Sequence, residues 1–232
     1  LPATTAPPSA SVPTSPGVTA PPATVGVTVS EEQLPPSDAL AGLRSGSPRV
    51  IDDPAGFVDA LYQAGDPTKP AATQRLTSGG YVSGILRDQV GTDPTTQIAL
   101  FRTYAIALRD EAAARAEVAA AVQEVRESTT APTSDIDLPD IPGAQGLHVE
   151  IDQGNLKGAV AFVTFPAGPY VYGLQGVSTD DAALPQDEII GAARDLYGRP
   201  VAISRPAPRS SWRGCGGGAS GPPRRAPRAP PW

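Results

Sequence analysis

The chain has 232 residues, enough for one or two domains, but its 28 prolines are concentrated at the two ends and leave one globular stretch between them. The net charge is −6, yet the last 29 residues hold six arginines and no acid, so that 12 basic and 24 acidic residues make up the rest. Such an acidic body repels phosphate backbones and anionic lipids, which argues against nucleic acid and membrane surfaces as partners. The single cysteine, Cys215, excludes an internal disulfide framework and a cysteine-ligated metal site.

The two ends of the chain differ in composition from the middle. Residues 1–36 are rich in Pro, Thr, Ser and Ala, and we expect disorder there, either as a stalk that holds an exported domain away from a membrane or wall or as a plain flexible terminus. Because the chain begins at Leu1, either a leader was removed or the sequence is a fragment. Residues 204–232, rich in Arg, Pro and Gly, are also expected to be disordered, as a basic tail for an anionic surface or as the product of a reading-frame shift.

The globular part is expected to span residues 37–203, and its helices are marked by apolar residues at helical spacing. The spacing predicts helices over residues 54–64, 110–127 and 187–197. Asp53 precedes the first helix in the N-cap position, and the first turn of the second is acidic, as the helix dipole prefers. A shorter helical turn is predicted for residues 37–43.

Five segments have the composition of β-strands and are separated by turn-forming residues: 80–87, 97–106, 146–152, 158–165 and 169–177. A polar, proline-containing linker at residues 128–143 divides the first two strands from the last three. The element order α-ββα-βββα predicts an α+β fold with a single antiparallel sheet of about five strands and helices packed on one face. The loose similarity of the two halves suggests an internal duplication.

His148 is the only histidine, and Glu150 lies two residues beyond it on a predicted strand, so that their side chains share a face. This pair could orient an imidazole for a hydrolase of unfamiliar type. The alternative is a surface histidine beside a solvated acid, and a non-enzymatic module is favoured over an enzyme. No phosphate-binding loop or dinucleotide fingerprint is present, and we expect no cofactor.

Two further groups of residues are candidates for binding. Asp135, Asp137 and Asp140 cluster in the predicted linker, where alternate carboxylates could ligate calcium, although a solvated acidic linker is the default interpretation and no metal is expected. Tyr170 and Tyr172 share one face of a predicted strand, and Phe162 lies on its neighbour. An aromatic strip of this kind could bind a small ligand, but it is more often core beneath a helix.

Four short stretches of the chain, 101–104, 109–115, 141–144 and 168–172, have a distinctive composition. In these stretches the chain resembles exported proteins and lipoproteins of GC-rich actinobacteria, whose function is generally unassigned, and the resemblance covers about half the chain. It implies an extracellular or cell-envelope location, with a membrane reached only through an anchor or leader outside this sequence. We therefore expect a secreted envelope module that binds a small ligand or an envelope partner.

Overall fold

The computed structural model describes residues 27–92, 97–153, 156–178 and 184–199. The remaining residues, with most of both predicted disordered ends and Cys215, lie outside the described part of the chain. None of the helices in the described ranges combines the length and apolarity that a membrane crossing requires.

The described strands form one antiparallel sheet, as the sequence predicts. The strands are β1 (Leu43–Ser45), β2 (Arg49–Ile51), β3 (Ser83–Gly91), β4 (Ile98–Ala107), β5 (Thr133–Asp135), β6 (Gln145–Gln153), β7 (Leu156–Ala167) and β8 (Tyr170–Ser178). Their order across the sheet is β1-β3-β4-β8-β7-β6-β5, and β2 also pairs with β3. The sheet has eight strands rather than about five, because β1, β2 and β5 have three residues each and are too short to show an alternating pattern.

Within the described residues, four α-helices flank the sheet: α1 (Pro54–Leu61), α2 (Lys69–Ser78), α3 (Glu111–Ser128) and α4 (Gln186–Tyr197). Asp53 caps α1 by accepting a 3.0 Å hydrogen bond from the Gly56 amide, and Asp110 caps α3 by accepting one of 2.8 Å from Ala113. The sequence pattern does not predict α2, because that helix is polar and buries only Ala72 and Leu76. The helical turn expected over residues 37–43 does not form.

The two faces of the sheet carry separate cores. We call the face covered by α1, α2 and α3 the front face, and the face covered by α4 the back face. Neighbouring residues of β8 divide between them, since Val171 packs in the front core while Tyr170 and Tyr172 pack in the back core. The structure thus differs from the expectation of helices on one face. The reason is that the central strands are apolar in both phases and need cover on both sides.

Both predicted halves lie in one sheet, because β4 pairs with β8. However, α3 follows β4 on the front face, whereas α4 follows β8 on the back face. If a two-fold axis related the two halves by exchanging the antiparallel neighbours β4 and β8, both helices would lie on the same face of the sheet. Internal duplication therefore stays a hypothesis.

Residues 27–40, which we call the N-terminal segment, pack on the back face, so the fold includes residues that precede the predicted boundary at residue 37. Leu34 is only 1% exposed. Arg87 on β3, itself buried, donates a 2.8 Å hydrogen bond to the Pro35 carbonyl oxygen and pairs with Glu31. Gln89 donates another, of 2.7 Å, to the Ser37 carbonyl oxygen. These contacts join a proline-rich segment to a buried part of the sheet.

The predicted linker at residues 128–143 is likewise part of the fold. It contains β5, and its side chains Ile136, Leu138 and Ile141 are buried in the back core. Their spacing fits neither a strand nor a helix, which is why composition alone indicated a solvated connection.

Candidate ligand-binding cavity

A cavity of about 580 Å³ lies on the front face, between the helices α1, α2 and α3 and the strands β4, β6, β7 and β8. Its size falls within the range of small-molecule sites, which are concave and mostly apolar with a few convergent polar groups. The cavity exists because the three helices cover the front face incompletely. Its lining combines an apolar floor from the sheet with a charged end from the helices.

The floor consists of aliphatic and aromatic side chains that remain only half-buried although they point from the sheet toward the helices. These residues are Leu100, Ile151, Val160, Phe162 and Val177. When a ligand covers these partly exposed apolar side chains, binding is favoured by about 25 cal/mol for each Å² of apolar surface that is removed from water. The floor therefore favours an apolar ligand body.

One side of the cavity is fixed by the packing of Tyr104 over a glycine. Tyr104 on β4 lies opposite Gly173 on β8, and a β-carbon at Gly173 would fall 2.0 Å from the ring carbon Cζ. The tyrosine also contacts Phe57 of α1 edge to face, with ring centroids 5.9 Å apart. Since Tyr104 lines the cavity, the absence of a side chain at Gly173 helps to set the cavity's shape.

We expect Gly173→Ala to lower the free energy of unfolding by about 1–3 kcal/mol, because the added methyl group forces Tyr104 out of its position. Gly191→Ala in α4 is the matched control, since nothing lies within 4 Å of a β-carbon there. The control should be neutral or stabilising by up to about 1 kcal/mol, because alanine is the better helix former. Urea unfolding of both variants measures the difference, and equal midpoints would contradict the packing described.

The charged end of the cavity is an arginine held between two carboxylates. Arg75 of α2 donates from Nε to Glu117 at 2.8 Å and from Nη1 to Glu124 at 2.6 Å. The two glutamate side chains, both on α3, are only 8% and 14% exposed. Burial raises the pKa of the Glu117 carboxyl above its ordinary value, although Arg75 acts in the opposite direction.

Tyr62, at the end of α1, also lines this part of the cavity. Burial, and next to it the neighbouring Glu124 carboxylate, raise the pKa of the Tyr62 phenol above its ordinary value. A second arginine of the lining, Arg102 on β4, is occupied by Asp88, with which it makes hydrogen bonds of 2.7 and 3.3 Å. It also donates to the Leu61 carbonyl oxygen at 2.8 Å.

The sequence-predicted catalytic pair lies away from the cavity. His148 and Glu150 belong to β6, and the register places His148 opposite Ser134 and Ala161. Nδ1 of His148 is buried without a hydrogen-bond partner among the described residues, and Glu150 is exposed. The hydrolase hypothesis required a serine or an acid within hydrogen-bond reach of the imidazole in a concave pocket, and the described residues do not supply this arrangement.

The three predicted aromatic residues do not lie on one face, since the two tyrosines pack together on the back face and Phe162 lies on the front face. Tyr170 and Tyr172 are 2% and 4% exposed on the back face, beneath the N-terminal segment, where Tyr170 donates to the Thr28 carbonyl oxygen at 3.3 Å. Burial raises the pKa of Tyr172 to about 12, although the neighbouring Gln33 side chain acts to lower this pKa. Phe162 lies on the front face and lines the cavity. The tyrosines are therefore core, and of the three only Phe162 is positioned to contact a ligand.

The three linker aspartates are likewise not assembled into a site. Asp135 pairs with Arg126 of α3, and Asp140 pairs with Arg194 of α4 at 3.0 Å, whereas Asp137 is exposed. Within the described ranges, no three His, Cys, Asp or Glu side chains form a group that could hold a metal ion.

The residues at the charged end were missed by the sequence analysis, although α3 contained a signal. Glu117, Ala121 and Glu124 have the spacing of one helix face, and that face continues the predicted apolar stripe. Acids within an apolar stripe indicate buried carboxylates that need a partner. Their partner, Arg75, lies on a helix that the sequence pattern did not predict.

Comparison with known proteins gave limited results. No family model matches the chain, and no curated protein matches it. Among solved structures, the chain is similar to the extracellular domain of PknH from Mycobacterium tuberculosis, with 13% sequence identity and a TM-score of 0.45. The match covers 72% of this chain and 96% of that one. A likeness this weak carries no argument about ligand, activity or location.

Proposed function

We propose that the protein is a non-enzymatic, exported module of the cell envelope that binds a small ligand in the front-face cavity. The observation that carries the proposal is the cavity itself, in which half-buried apolar side chains from four strands face a buried charged cluster. Such a combination of apolar floor and convergent polar groups is typical of ligand sites.

The chemistry of the lining supports binding rather than catalysis. The charged groups at its end are engaged with one another, since Arg75 is shared by Glu117 and Glu124 and Arg102 is held by Asp88. General acid–base or nucleophilic catalysis requires a group that is free to transfer a proton or attack a substrate. Arg75, Glu117 and Glu124 hold one another in place, so this end of the cavity presents fixed charges that can orient a bound molecule.

The exported location rests on the sequence. The Pro-, Thr- and Ser-rich composition of residues 1–26 is typical of a spacer, and the acidic body is unsuited to nucleic acid. The resemblance to exported actinobacterial proteins favours the same location.

Filling the cavity tests the proposal. We expect Ala121→Trp, on the α3 side of the cavity, to weaken binding of the neutral apolar probe N-phenyl-1-naphthylamine by about tenfold or more, because the indole occupies the space that the probe requires. Ala119→Trp, at an exposed position of the same helix, is the control and should bind as the wild type does. The readout is probe fluorescence, with thermal unfolding to show that both variants are folded. If the wild type did not bind the probe, or if Ala121→Trp bound it equally well, the proposal would be wrong.

A further inference from the structure

We infer that the ligand of the front-face cavity is an amphipathic cation, with an apolar body on the sheet floor and one ammonium or guanidinium head at Glu117 and Glu124. The inference rests on the proposed function, because it specifies the ligand of the same cavity.

The cavity lining carries more acids than bases. Its charged residues are Asp66, Arg75, Arg102, Glu117 and Glu124. Arg102 donates from Nε and Nη2 to Asp88, which lies outside the lining and also pairs with Arg49, and from Nη1 to the Leu61 carbonyl oxygen, so its hydrogen bonds do not go to the acids of the lining. Arg75 is therefore the cation shared by both glutamates, and the charged end holds one carboxylate charge in excess.

This excess charge is costly because the glutamates are withdrawn from water. A buried carboxylate is stabilised only when a counter-charge and hydrogen bonds replace its hydration. Arg75 supplies one guanidinium for two carboxylates. The raised pKa of Glu117 is the consequence expected of incomplete compensation. A second cation at this place would complete the pairing.

The shape of the site allows such a cation to enter. Glu117 and Glu124 are separated by two turns of α3, with the small side chain of Ala121 between them on the same face. Arg75 bonds Oε2 of each glutamate, and both glutamate side chains also line the cavity, so a head group approaches them from the cavity side of the ion pair. Phe162 and the other half-buried floor residues provide apolar surface for the body of the ligand, and aromatic faces also attract cations.

An anionic head is disfavoured by the same arrangement. Both guanidinium groups of the lining already bond to carboxylates, Arg75 to Glu117 and Glu124 and Arg102 to Asp88. A carboxylate or phosphate head would have to displace one of these partners and would then leave another buried carboxylate unpaired. A neutral head would gain the apolar contacts but not the charge pairing.

Three probes with the same alkyl chain separate these cases: decyltrimethylammonium, decyl glucoside and decanoate, each titrated by calorimetry below its micellar concentration at fixed salt. We expect the cation to bind the wild type about tenfold more tightly than the neutral probe, and the anion to bind most weakly. Glu124→Gln leaves Arg75 and Glu117 as a balanced pair, and it should abolish the tenfold preference for the cation. Glu127→Gln, an exposed position on α3, is the matched control and should retain that preference.

The outcomes distinguish the inference from the proposed function. If the neutral and cationic probes bind equally and Ala121→Trp blocks both, the cavity is a ligand site but the inference of a cation is wrong. If Ala121→Trp blocks none of the probes, both are wrong. Should Glu124→Gln fail to fold, the ranking of the three probes on the wild-type protein still decides the inference.

Discussion

A variant that begins at Ser37 is expected to be less stable than one that begins at Val27 by about 5 kcal/mol or more, because it loses residues 27–36 from the back face. Burying a leucine such as Leu34 contributes about 1.5–3 kcal/mol. The loss also removes Glu31 and the Pro35 carbonyl from Arg87, which is 3% exposed, and an unpaired buried charge costs a further 3–5 kcal/mol. Urea unfolding of both variants measures the difference.

A point substitution checks this result in the full chain. Leu34→Ala should lower the free energy of unfolding by about 2–5 kcal/mol, since it leaves a cavity in a packed region. Glu32→Ala, at an exposed neighbouring position, should change it by less than about 0.5 kcal/mol. Equal unfolding midpoints for the two start points, with Leu34→Ala as stable as the wild type, would show that the N-terminal segment does not support the fold.

The second large effect is expected from Arg75→Met, which leaves the buried carboxylates of Glu117 and Glu124 without their counter-charge. We expect a loss of about 3–5 kcal/mol near neutral pH, as for other broken buried ion pairs. Arg115→Met is the matched control, because Arg115 forms an exposed i,i+4 ion pair with Glu111 within α3. This substitution should cost less than about 1 kcal/mol.

The pH dependence of the Arg75→Met variant gives an independent check. Burial raises the pKa of Glu117, and without Arg75 the effect that lowers this pKa is lost, so it rises further. A carboxyl whose pKa is higher in the folded state stabilises the fold below its unfolded pKa of about 4.3, and this stability disappears as the pH rises through the folded value. Lowering the pH from about 7 to about 5 should therefore restore more stability to Arg75→Met than to Arg115→Met, in which Arg75 still opposes the rise in the pKa of Glu117. A loss that is constant over this range would contradict the burial of Glu117.

The sequence predicted the elements whose signals are local. We could recognise the helices α1, α3 and α4 and the five long strands, because the apolar periodicity and turn or capping residues that mark them lie close together in the sequence. The short strands β1, β2 and β5 were missed, because three residues cannot establish a period. The helix α2 was missed because few of its residues are apolar.

The roles of particular surfaces could not be predicted, because they depend on contacts between distant parts of the chain. The segment at residues 27–36 has the composition of a disordered stalk, yet it is held by Arg87, more than fifty positions away in the sequence. The N-terminal segment also contacts Tyr170, which donates to the Thr28 carbonyl oxygen, and Tyr170 and Tyr172, candidates for a ligand-binding strip, are core residues of the back face. The cavity depends on how three helices leave part of the front face uncovered, and no local pattern encodes that spacing.

The most direct test of binding in the front-face cavity is to measure the NMR chemical shifts of the protein's methyl groups with and without decyltrimethylammonium. The methyl groups of Ala121, Val160 and Val177 line the front-face cavity, whereas Leu174 and Ile189 lie in the back core. We predict that saturating ligand shifts the first three strongly and leaves the last two in place. Shifts concentrated in the back core, or no shifts at saturation, would contradict the assignment of the front-face cavity as the binding site.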